Sequence, residues 1–204
     1  MLNIYTLPLG DYQTNCYIIR AEGSQSCAVI DPGFEADVIL AQLEKLGLSP
    51  DAILLTHGHF DHVGAVQQLV KATGCALWMS QSDWSQKKDP FTAYIYPLAN
   101  CDFAPVQFCE EGQEISAGGV TFTVLATPGH TWGSVCYLCE DALFSGDTLF
   151  ALSCGRTDLP GGNHDAILES LHRLATLPDE LRVFPGHGQS TTLAAEKRYN
   201  PYMR

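Results

Sequence analysis

Short apolar runs alternate with amphipathic stretches of helical period in the first half of the chain, and this alternation predicts an α/β fold. Apolar or β-branched residues dominate at 2–7, 16–20 and 27–31, with Gly, Pro or Ser between the runs, which is typical of strands. Apolar positions at 35–46 recur at helical spacing and stop at Gly47, which indicates a helix. The pattern then predicts a strand at 53–57, a helix at 62–73 and a strand at 76–79.

The second half repeats this strand-rich pattern. Strands are predicted at 120–125, 134–139, 142–147 and 182–187, with helices after residue 163 and at 192–199. No linker or run of charge separates the halves, so we predict a single domain, 1–204. The segment 81–112 is rich in aromatic residues and prolines and has little periodicity, which is consistent with a lid or pocket wall, or with packing against a helix.

The predicted strand at 53–57 runs into a dense polar cluster. His57, His59, Asp61 and His62 occupy four of six consecutive positions, in the turn between this strand and the following helix. Imidazole nitrogen and carboxylate oxygen are ligands that zinc, iron and manganese accept. The density of such groups predicts a metal site rather than a polar loop that happens to be rich in histidine.

Three further segments also end in a potential ligand, namely His130, Asp147 and His187. Strand ends at one edge of a layered α/β fold can converge in space although they are distant in sequence. We therefore expect these side chains to join the cluster at 57–62.

Composition and charge narrow the possible partners. The chain has 204 residues, 46% of them apolar, which is enough for a sizeable core, and a formal net charge of −12. That charge argues against binding to nucleic-acid phosphates or to an anionic membrane surface. The N-terminal residues show no basic segment followed by an apolar run, and no stretch is long enough to span a bilayer, so a cytoplasmic location is expected.

The eight cysteines mostly lie in apolar runs and are predicted to be buried small residues rather than disulfide partners. Cys136 and Cys139 fall within one predicted strand, where side chains three positions apart point to opposite faces. Cys154, beside a candidate active-site loop, is the exception that we keep as a functional candidate.

The cluster resembles the signature of the metallo-β-lactamase-fold hydrolases, His-x-His-x-Asp-His at the end of a strand. The contexts T-P-G-H-T at 127–131, S-G-D-T at 145–148 and P-G-H-G at 185–188 extend the resemblance over nearly the whole chain. It implies a four-layer αβ/βα sandwich, in which two mixed sheets are flanked by helices and the metals lie at one edge between the sheets.

The resemblance also implies a role for each ligand. His57, His59 and His130 match the ligands of a first metal; Asp61, His62 and His187 match those of a second; and Asp147 matches the bridge between them. The implied cofactors are two divalent metal ions, with zinc preferred and iron or manganese as alternatives. Asp61 and Asp147 are the implied catalytic residues, acting with a hydroxide that bridges the metals.

Within this superfamily the chain resembles the glyoxalase II-like hydrolases, as judged from T-N-C-Y at 14–17, I-D-P-G at 30–33, C-G-R-T-D at 154–158 and E-K-x-x-N-P at 196–201. This implies hydrolysis of a small-molecule thioester such as S-D-lactoylglutathione. The chain resembles the short bacterial relatives and shows no counterpart of the C-terminal helical domain with which the longer enzymes contact glutathione. The resemblance therefore leaves the particular thioester open.

Alternatives of other classes remain. A persulfide dioxygenase would share the G-R-T-D stretch at 155–158 and use a single iron at His57, His130 and Asp147. A non-enzymatic metal-binding module is the third alternative, but structural zinc sites are closed and four-coordinate. Two-zinc β-lactamases of this family usually have Cys in place of Asp147 or lack the full ligand set, which argues against that activity.

The remaining polar residues are assigned from their positions in the predicted loops. Asp31 is interpreted either as support for a metal ligand or as a turn former, and His164 and His172 as surface residues. Arg156 and Asp158 form either a plain ion pair or a functional pair. The predicted substrate contacts are Arg156, Asn163, Trp132 and Tyr94. The sequence leaves the oligomeric state open.

Overall fold

The structure is a computed structural model that describes residues 1–97 and 106–204, and most of its strands belong to two six-stranded sheets. The first sheet contains β1 (Leu2–Leu9), β2 (Thr14–Ala21), β3 (Ser26–Ile30), β4 (Ser49–Leu54), β5 (Ala76–Met79) and β6 (Val106–Phe108). The second contains β7 (Glu114–Ala117), β8 (Val120–Ala126), β9 (Val135–Cys139), β10 (Ala142–Gly146), β13 (Arg182–Pro185) and β14 (Thr191–Thr192). A two-stranded ribbon is formed by β11 (Leu149–Phe150) and β12 (Ser153–Cys154).

The helices lie between these strands in the sequence. They are α1 (Ala36–Leu46), α2 (Phe60–Val63), α3 (Val66–Thr73), α4 (Gln81–Gln86), α5 (His164–Leu174) and α6 (Leu193–Tyr199), followed by a 3-10 turn (Pro201–Met203). Across residues 1–97 and 106–204, the structure contains no helix with the length and apolarity needed to cross a membrane.

Both sheets are mixed. The first has the order β1-β2-β3-β4-β5-β6, with antiparallel pairing up to β3 and parallel pairing from β3 to β6. The second has the order β14-β13-β10-β9-β8-β7, and β10 and β13 are its parallel pair. Parallel neighbouring strands have their carboxyl ends at the same edge of a sheet. The candidate ligands that come after β4, β10 and β13 therefore lie at such edges.

Three apolar clusters show how the layers pack. On β2, Ile18 faces a cluster shared with α1 and α3, whereas Ile19 faces a central cluster shared with the second sheet. On β10, Phe144 points into the same central cluster and Leu143 points to α5 on the other side. Each of these side chains is fully buried, and burial of an aliphatic or aromatic side chain contributes roughly 1.5–3 kcal/mol. The order of layers is helix, sheet, sheet, helix, which confirms the predicted four-layer fold.

The prediction of one continuous helix at 62–73 was wrong, because this segment contains the end of α2 and the whole of α3. The amide of Ala65 donates to the carbonyl of Pro32 at 3.0 Å instead of to the preceding helical turn. A Cβ on Gly64 would lie 2.3 Å from the carbonyl oxygen of Gly33, so only glycine permits this close approach. Apolar spacing is the same in one helix or two, and therefore could not reveal the break.

The strand predictions at 53–57, 142–147 and 182–187 extend too far, since the candidate ligands lie just beyond the strands. β4 ends at Leu54, opposite the last residue of its neighbour, Ile30. β10 ends at Gly146 and β13 at Pro185. The sequence analysis also missed the short strands β6, β7, β11, β12 and β14, whose apolar patterns are too brief to recognise.

The described parts of the segment 81–112 contain regular structure that the sequence analysis did not predict, namely α4 at the start and β6 near the end. Trp84 packs against the outer cluster of the first sheet, whereas Tyr94 and Ile95 line a cavity described below. Both interpretations of the segment, packing and pocket wall, therefore apply to different parts of it. Residues 98–105 of this segment lie outside the described part of the chain.

The interpretation of the cysteine pair on β9 is confirmed. Cys136 faces the outer cluster of the second sheet and Cys139 faces the central cluster, and both are buried. Cys154 is only partly buried and lines the cavity, as its place in the sequence suggested.

Candidate metal centre

Four chain segments bring their potential ligands to one edge between the two sheets. His57 lies three residues beyond β4, Asp147 directly follows β10, and His187 lies two residues beyond β13. His130 lies in the loop between β8 and β9. The first sheet therefore supplies the 57–62 cluster and the second supplies the other three side chains.

The first group consists of His57, His59 and His130. Their ligand atoms all lie within 4.8 Å of one another, and each residue is at least nine-tenths buried. Nδ1 of His59 and Nε2 of His130 are 3.0 Å apart. Three imidazoles at this spacing form a set that could hold one metal ion.

The second group consists of Asp61, His62 and His187, whose ligand atoms also lie within 4.8 Å of one another. Nε2 of His187 is 3.3 Å from Oδ2 of Asp61 and 3.3 Å from Nε2 of His62. The side chain of His187 is 27% exposed, so this group is open to solvent on one side.

Asp147 lies between the two groups. Its Oδ1 is 3.4 Å from Nε2 of His62, whereas its Oδ2 is 3.6 Å from Nε2 of both His130 and His187. The carboxylate thus reaches both groups, as a bridging ligand would. A Cβ on Gly186 would lie 2.2 Å from Oδ1 of Asp147, so the glycine of the P-G-H-G stretch makes room for this carboxylate.

The outer ring nitrogens of two histidines bind backbone carbonyls. Nδ1 of His130 donates to the carbonyl of Arg156 at 2.8 Å, and Nδ1 of His187 donates to the carbonyl of Tyr12 at 3.1 Å. A carbonyl oxygen can only accept, so Nδ1 carries a proton in both rings. When such a ring is neutral, Nε2 is left with a lone pair directed into the centre. This is the usual arrangement around histidines that bind metal.

Asp31 orients two of the inner side chains. Its carboxylate accepts hydrogen bonds from the amide of Thr56 at 2.8 Å, from the hydroxyl of Thr56 at 2.6 Å, and from Nδ1 of His62 at 2.9 Å. The hydroxyl of Thr56 also lies 3.0 Å from Nδ1 of His57. Asp31, His57 and His62 are close enough to form a third possible metal group, but these hydrogen bonds already occupy the carboxylate of Asp31. Asp31 therefore orients candidate ligands, as one of its two interpretations suggests, while its φ of 49° shows that it also forms the turn.

The unpartnered atoms of the cluster fit a divalent metal. Nε2 of His57 and Oδ1 of Asp147 are buried without a hydrogen-bond partner, as is Nε2 of His59. Leaving a buried polar atom unsatisfied costs about 1–3 kcal/mol. A bound cation would compensate for this arrangement at His57 and Asp147.

The electrostatic environment differs between the groups. Burial, reinforced by the neighbouring imidazoles, lowers the pKa of His57 well below its usual value and lowers the pKa of His59 to about 3. Burial acts the same way on His62, but the carboxylates of Asp147 and Asp31 outweigh it and raise the pKa of His62. The lowered pKa values keep His57 and His59 neutral, which is the form that binds a cation.

The two carboxylates that face the centre are held in the ionised form. Burial opposes ionisation of Asp61, but the hydrogen bond with His187 outweighs it and lowers the pKa of Asp61. Burial likewise opposes ionisation of Asp147, and the charge of His62 nearby lowers the pKa of Asp147 despite it.

Asp83 on α4 connects the two loops of the first group, and the sequence analysis missed it. This fully buried carboxylate accepts from the amide of Gly58 at 2.9 Å and the amide of Gly133 at 2.8 Å. It also accepts from the hydroxyl of Thr131 at 2.8 Å. Gly58 lies between two candidate ligands and Thr131 follows a third. Asp83 is an isolated acidic residue in an aromatic segment, and nothing in the sequence around it indicated that it connects these two loops.

The T-N-C-Y stretch at 14–17 holds the segment that carries His187. The side chain of Asn15 donates to the carbonyl of Pro185 at 3.0 Å and to that of Gly188 at 2.9 Å. The hydroxyl of Tyr17 donates to the same carbonyl of Pro185 at 2.6 Å. The second strand of the chain thus holds in place a segment about 170 residues away that carries a candidate ligand.

The E-K-x-x-N-P stretch at 196–201 has a similar role on another loop. Glu196 is buried and accepts from the amide of Leu152 and the hydroxyl of Thr191, both at 2.8 Å. Asn200 donates to Glu196 at 2.9 Å and to the carbonyl of Ser153 at 3.0 Å. These contacts hold the loop that leads to Cys154 and Arg156.

The candidate centre lies at the floor of a cavity of about 630 Å³. The cavity is lined by Tyr12, His59, Phe60, Asp61, Tyr94, Ile95, His130, Asp147, Phe150, Ser153, Cys154, Arg156, Leu159 and His187. Members of both candidate metal groups are therefore accessible to a small molecule.

The structure places the four predicted substrate contacts differently. Arg156 and Tyr94 line the cavity. Asn163 does not, since it begins α5 and its side chain accepts from the amide of Ala166 at 3.0 Å. Trp132 also lies outside the lining; it is half exposed and its ring lies against Gly161.

Two further assignments concern charged and polar residues of these loops. Arg156 and Asp158 form a two-point ion pair with both distances 2.7 Å, and both side chains are largely exposed. The hydrogen bond from Arg156 lowers the pKa of Asp158 to about 2. His164 and His172 are exposed on α5, as expected.

Comparison with known proteins agrees with this geometry. Residues 9–187 match the family model described as the metallo-beta-lactamase superfamily. The chain is 36% identical to hydroxyacylglutathione hydrolase GloC of Haemophilus influenzae, over 99% of this chain and 98% of that protein.

Two solved structures share both the fold and part of the sequence. The BLEG-1 B3 metallo-beta-lactamase is 35% identical with a TM-score of 0.87, and the match covers 100% of this chain and 99% of that one. TTHA1623 in a di-iron-bound form is 41% identical with a TM-score of 0.83, covering 97% of this chain and 99% of that one.

Proposed function

Because this chain belongs to the metallo-β-lactamase superfamily, whose members include metal-dependent hydrolases, we propose that it hydrolyses a small-molecule thioester with two divalent metal ions. The observation that carries the proposal is the pair of ligand groups on either side of Asp147, at the floor of an open cavity. A structural metal site would be closed, whereas the side chains of Asp61 and Asp147 are 13% and 11% exposed.

The proposal assigns a role to each ligand. His57, His59 and His130 would hold one ion, and Asp61, His62 and His187 would hold the second, with Asp147 contacting both. A pair of divalent ions about 3.5–4 Å apart supplies a water of lowered pKa and polarises the substrate carbonyl. The orienting contacts of Asp31 and of the two backbone carbonyls keep the imidazoles in the required tautomers.

The carboxylates supply the proton chemistry. Asp61 is ionised at neutral pH, and its lowered pKa keeps it so, which lets its carboxylate accept a hydrogen bond from the attacking water and orient it. The departing thiolate is the conjugate base of a thiol with a pKa of about 8.5, so it can leave without a general acid. No acid with a proton to donate is required on the opposite side of the cavity.

Likeness to hydroxyacylglutathione hydrolase GloC supports a thioester as the substrate. Likeness to the BLEG-1 B3 metallo-beta-lactamase favours a second candidate, the hydrolysis of β-lactam amides. A β-lactam nitrogen is a poorer leaving group than a thiolate, so its departure would need protonation or stabilisation by a metal ion, which a thiolate does not require. We therefore place thioester hydrolysis first and include a β-lactam in the test.

The test combines metal analysis with three assays on the purified protein. We expect about two ions per chain and cleavage of S-D-lactoylglutathione or another thioester, with slower cleavage of a chromogenic cephalosporin. Asp147→Ala and His187→Ala should each lower the bound metal and reduce thioester hydrolysis by about 100-fold or more. His172→Ala, on an exposed histidine of α5, is the matched control and should change neither.

Other outcomes would replace the proposal. One iron per chain, no thioester cleavage and oxygen uptake with a persulfide would establish the dioxygenase alternative, for which His187 is not required. Bound metal without turnover of any of these compounds would favour a non-enzymatic metal-binding module. Full activity and full metal content in Asp147→Ala would remove Asp147 as the bridging ligand.

A further inference from the structure

The cavity above the candidate centre is poor in positive charge. Among residues 1–97 and 106–204, Arg156 is the one lysine or arginine that lines it. The remaining segment, 98–105, contains no lysine, arginine or histidine in its sequence. Apart from the candidate metal ligands, Arg156 is therefore the one cationic side chain available to a substrate in the described cavity.

This guanidinium is already paired. Two of its nitrogens donate to the two carboxylate oxygens of Asp158, both at 2.7 Å. Such a two-point contact is the strong geometry for an arginine and a carboxylate. It occupies the Nε and Nη2 side of the guanidinium, so a substrate carboxylate would have to displace Asp158 or use the remaining N–H groups in a weaker contact. Exposure of the pair to solvent weakens it, but also weakens any competing contact of the same kind.

The cavity wall is largely aromatic and aliphatic. Tyr12, Phe60, Tyr94 and Phe150 line it together with Ile95 and Leu159. Tyr12 packs edge-on against Phe60 with ring centroids 5.2 Å apart, so this part of the wall is held in place. Tyr12 is nevertheless 58% exposed and Tyr94 71% exposed, which leaves apolar ring surface for a ligand to cover.

The net charge of the whole chain also disfavours a negatively charged substrate. A glutathione thioester carries two carboxylates and one ammonium group on its thiol part, so that part has a net negative charge. The chain has a formal net charge of −12. Two bound metal ions would polarise the thioester group itself, and the carboxylates of Asp61 and Asp147 would offset part of the ions' charge toward the rest of the substrate.

We propose that the substrates are thioesters whose thiol part is uncharged and can lie against the aromatic wall formed by Tyr12, Phe60, Tyr94 and Phe150, in preference to thioesters of glutathione. The inference rests on the proposed thioester hydrolysis and specifies its substrate class. Tyr94 is the most exposed side chain of this wall, and we assign it the main role in substrate specificity.

The first experiment compares two substrates that share one acyl group. The metal-loaded protein is assayed with S-lactoyl-N-acetylcysteamine and with S-D-lactoylglutathione, and released thiol gives kcat/KM for each. We expect kcat/KM to be at least about tenfold higher for the N-acetylcysteamine ester. Added salt should raise kcat/KM for the glutathione ester by screening repulsion and leave the uncharged ester unchanged.

A pair of charge variants tests whether the cavity wall makes the selection. Tyr94→Arg adds a cation to the wall and should reduce the preference for the uncharged thioester by about threefold or more. Phe91→Arg adds the same charge three residues away, at a side chain that is 83% exposed and outside the cavity lining. We expect Phe91→Arg to keep the preference of the unmodified protein.

Each result decides the inference. Equal kcat/KM values, or a preference for the glutathione ester, would overturn the substrate class and leave thioester hydrolysis standing. Equal effects of the two arginine variants would overturn selection by this wall. Failure to cleave either ester would overturn the proposed function and the substrate class with it.

Discussion

His57 and His62 are neighbours, with ring centroids 4.1 Å apart, yet their pKa values shift in opposite directions. Both rings are buried, which disfavours the charged form. His62 differs because carboxylates contact it on both sides, Asp31 at Nδ1 and Asp147 at Nε2. Residue types were readable in the sequence, but these protonation preferences depend on which carboxylates the fold brings to each ring.

Asp31 is the residue whose replacement tests this support. In Asp31→Asn an amide nitrogen would stand where Oδ2 now accepts from both His62 and Thr56, so the orienting contacts would be lost. We expect metal affinity at the second group to fall by about 10–100-fold. Competition with a chromophoric chelator measures this affinity.

The matched control is Asp37→Asn, an exposed carboxylate in the first turn of α1. It should retain the affinity of the unmodified protein. An Asp31→Asn protein that binds both ions as tightly as the control would show that His62 needs no support from this carboxylate.

At the scale of elements, α4 has a role that its position in the sequence did not suggest. It carries Asp83, which joins the loop after β4 to the loop between β8 and β9 through three hydrogen bonds. These two loops carry all three histidines of the first group. The sequence predicted the loops and their ligands, but the element that fixes their separation lay in a segment without periodicity.

Replacing Asp83 should therefore loosen the first group more than the second. Asp83→Asn keeps the size of the side chain but replaces one carboxylate oxygen with an NH₂ group. One or more of the buried donors, the amides of Gly58 and Gly133 and the hydroxyl of Thr131, would then lack an acceptor. We expect a loss of roughly 2–3 kcal/mol in the free energy of unfolding and weaker binding at the first metal site. Chemical denaturation and metal titration report the two effects separately.

Asp165→Asn, at an exposed carboxylate in the first turn of α5, is the control for the lost charge. A variant at Asp83 that loses stability but binds both ions with unchanged affinity would limit Asp83 to a role in folding. Equal weakening at both sites would show that α4 supports the whole cluster rather than its first group.

On the scale of the whole molecule, the candidate ligands connect the two sheets. His57, His59, Asp61 and His62 follow a strand of the first sheet, whereas His130, Asp147 and His187 belong to the second. Each candidate ion would therefore be held from both sides of the sandwich. Binding at this position should stabilise the packing of one sheet on the other.

Thermal unfolding with and without metal tests this link. Free metal about a thousandfold above its dissociation constant should add about 4 kcal/mol per site to the free energy of unfolding. The gain should shrink as pH is lowered, because the raised pKa values of His62 and His187 let protons compete with metal below those values. At higher pH these rings are neutral and the full gain is expected.

As the pH is lowered, we expect the second group to lose its ion before the first. The pKa values of His57 and His59 are lowered, so these two rings of the first group stay neutral in acid. Metal content measured after dialysis across a pH series gives the order of loss. Simultaneous loss of both ions would contradict the separation into two groups. A metal-free protein that melts at the same temperature as the loaded one would contradict the link between the sheets.

The sequence by itself determined the layered α/β fold and the residue types of the centre. Alternating periodicities showed which faces of the strands and helices are apolar, and the dense cluster at 57–62 favoured a metal site over a polar loop rich in histidine. Both signals are local, since each depends on residues close together in the chain.

Only the tertiary structure decided what depends on contacts between distant segments. It showed the break between α2 and α3, the connection of two loops by Asp83, and the support of the His187 segment by Asn15. It also separated Arg156 and Tyr94, which line the cavity, from Asn163 and Trp132, which do not. Such contacts join residues tens to hundreds of positions apart, and a single sequence carries no periodic signal for them.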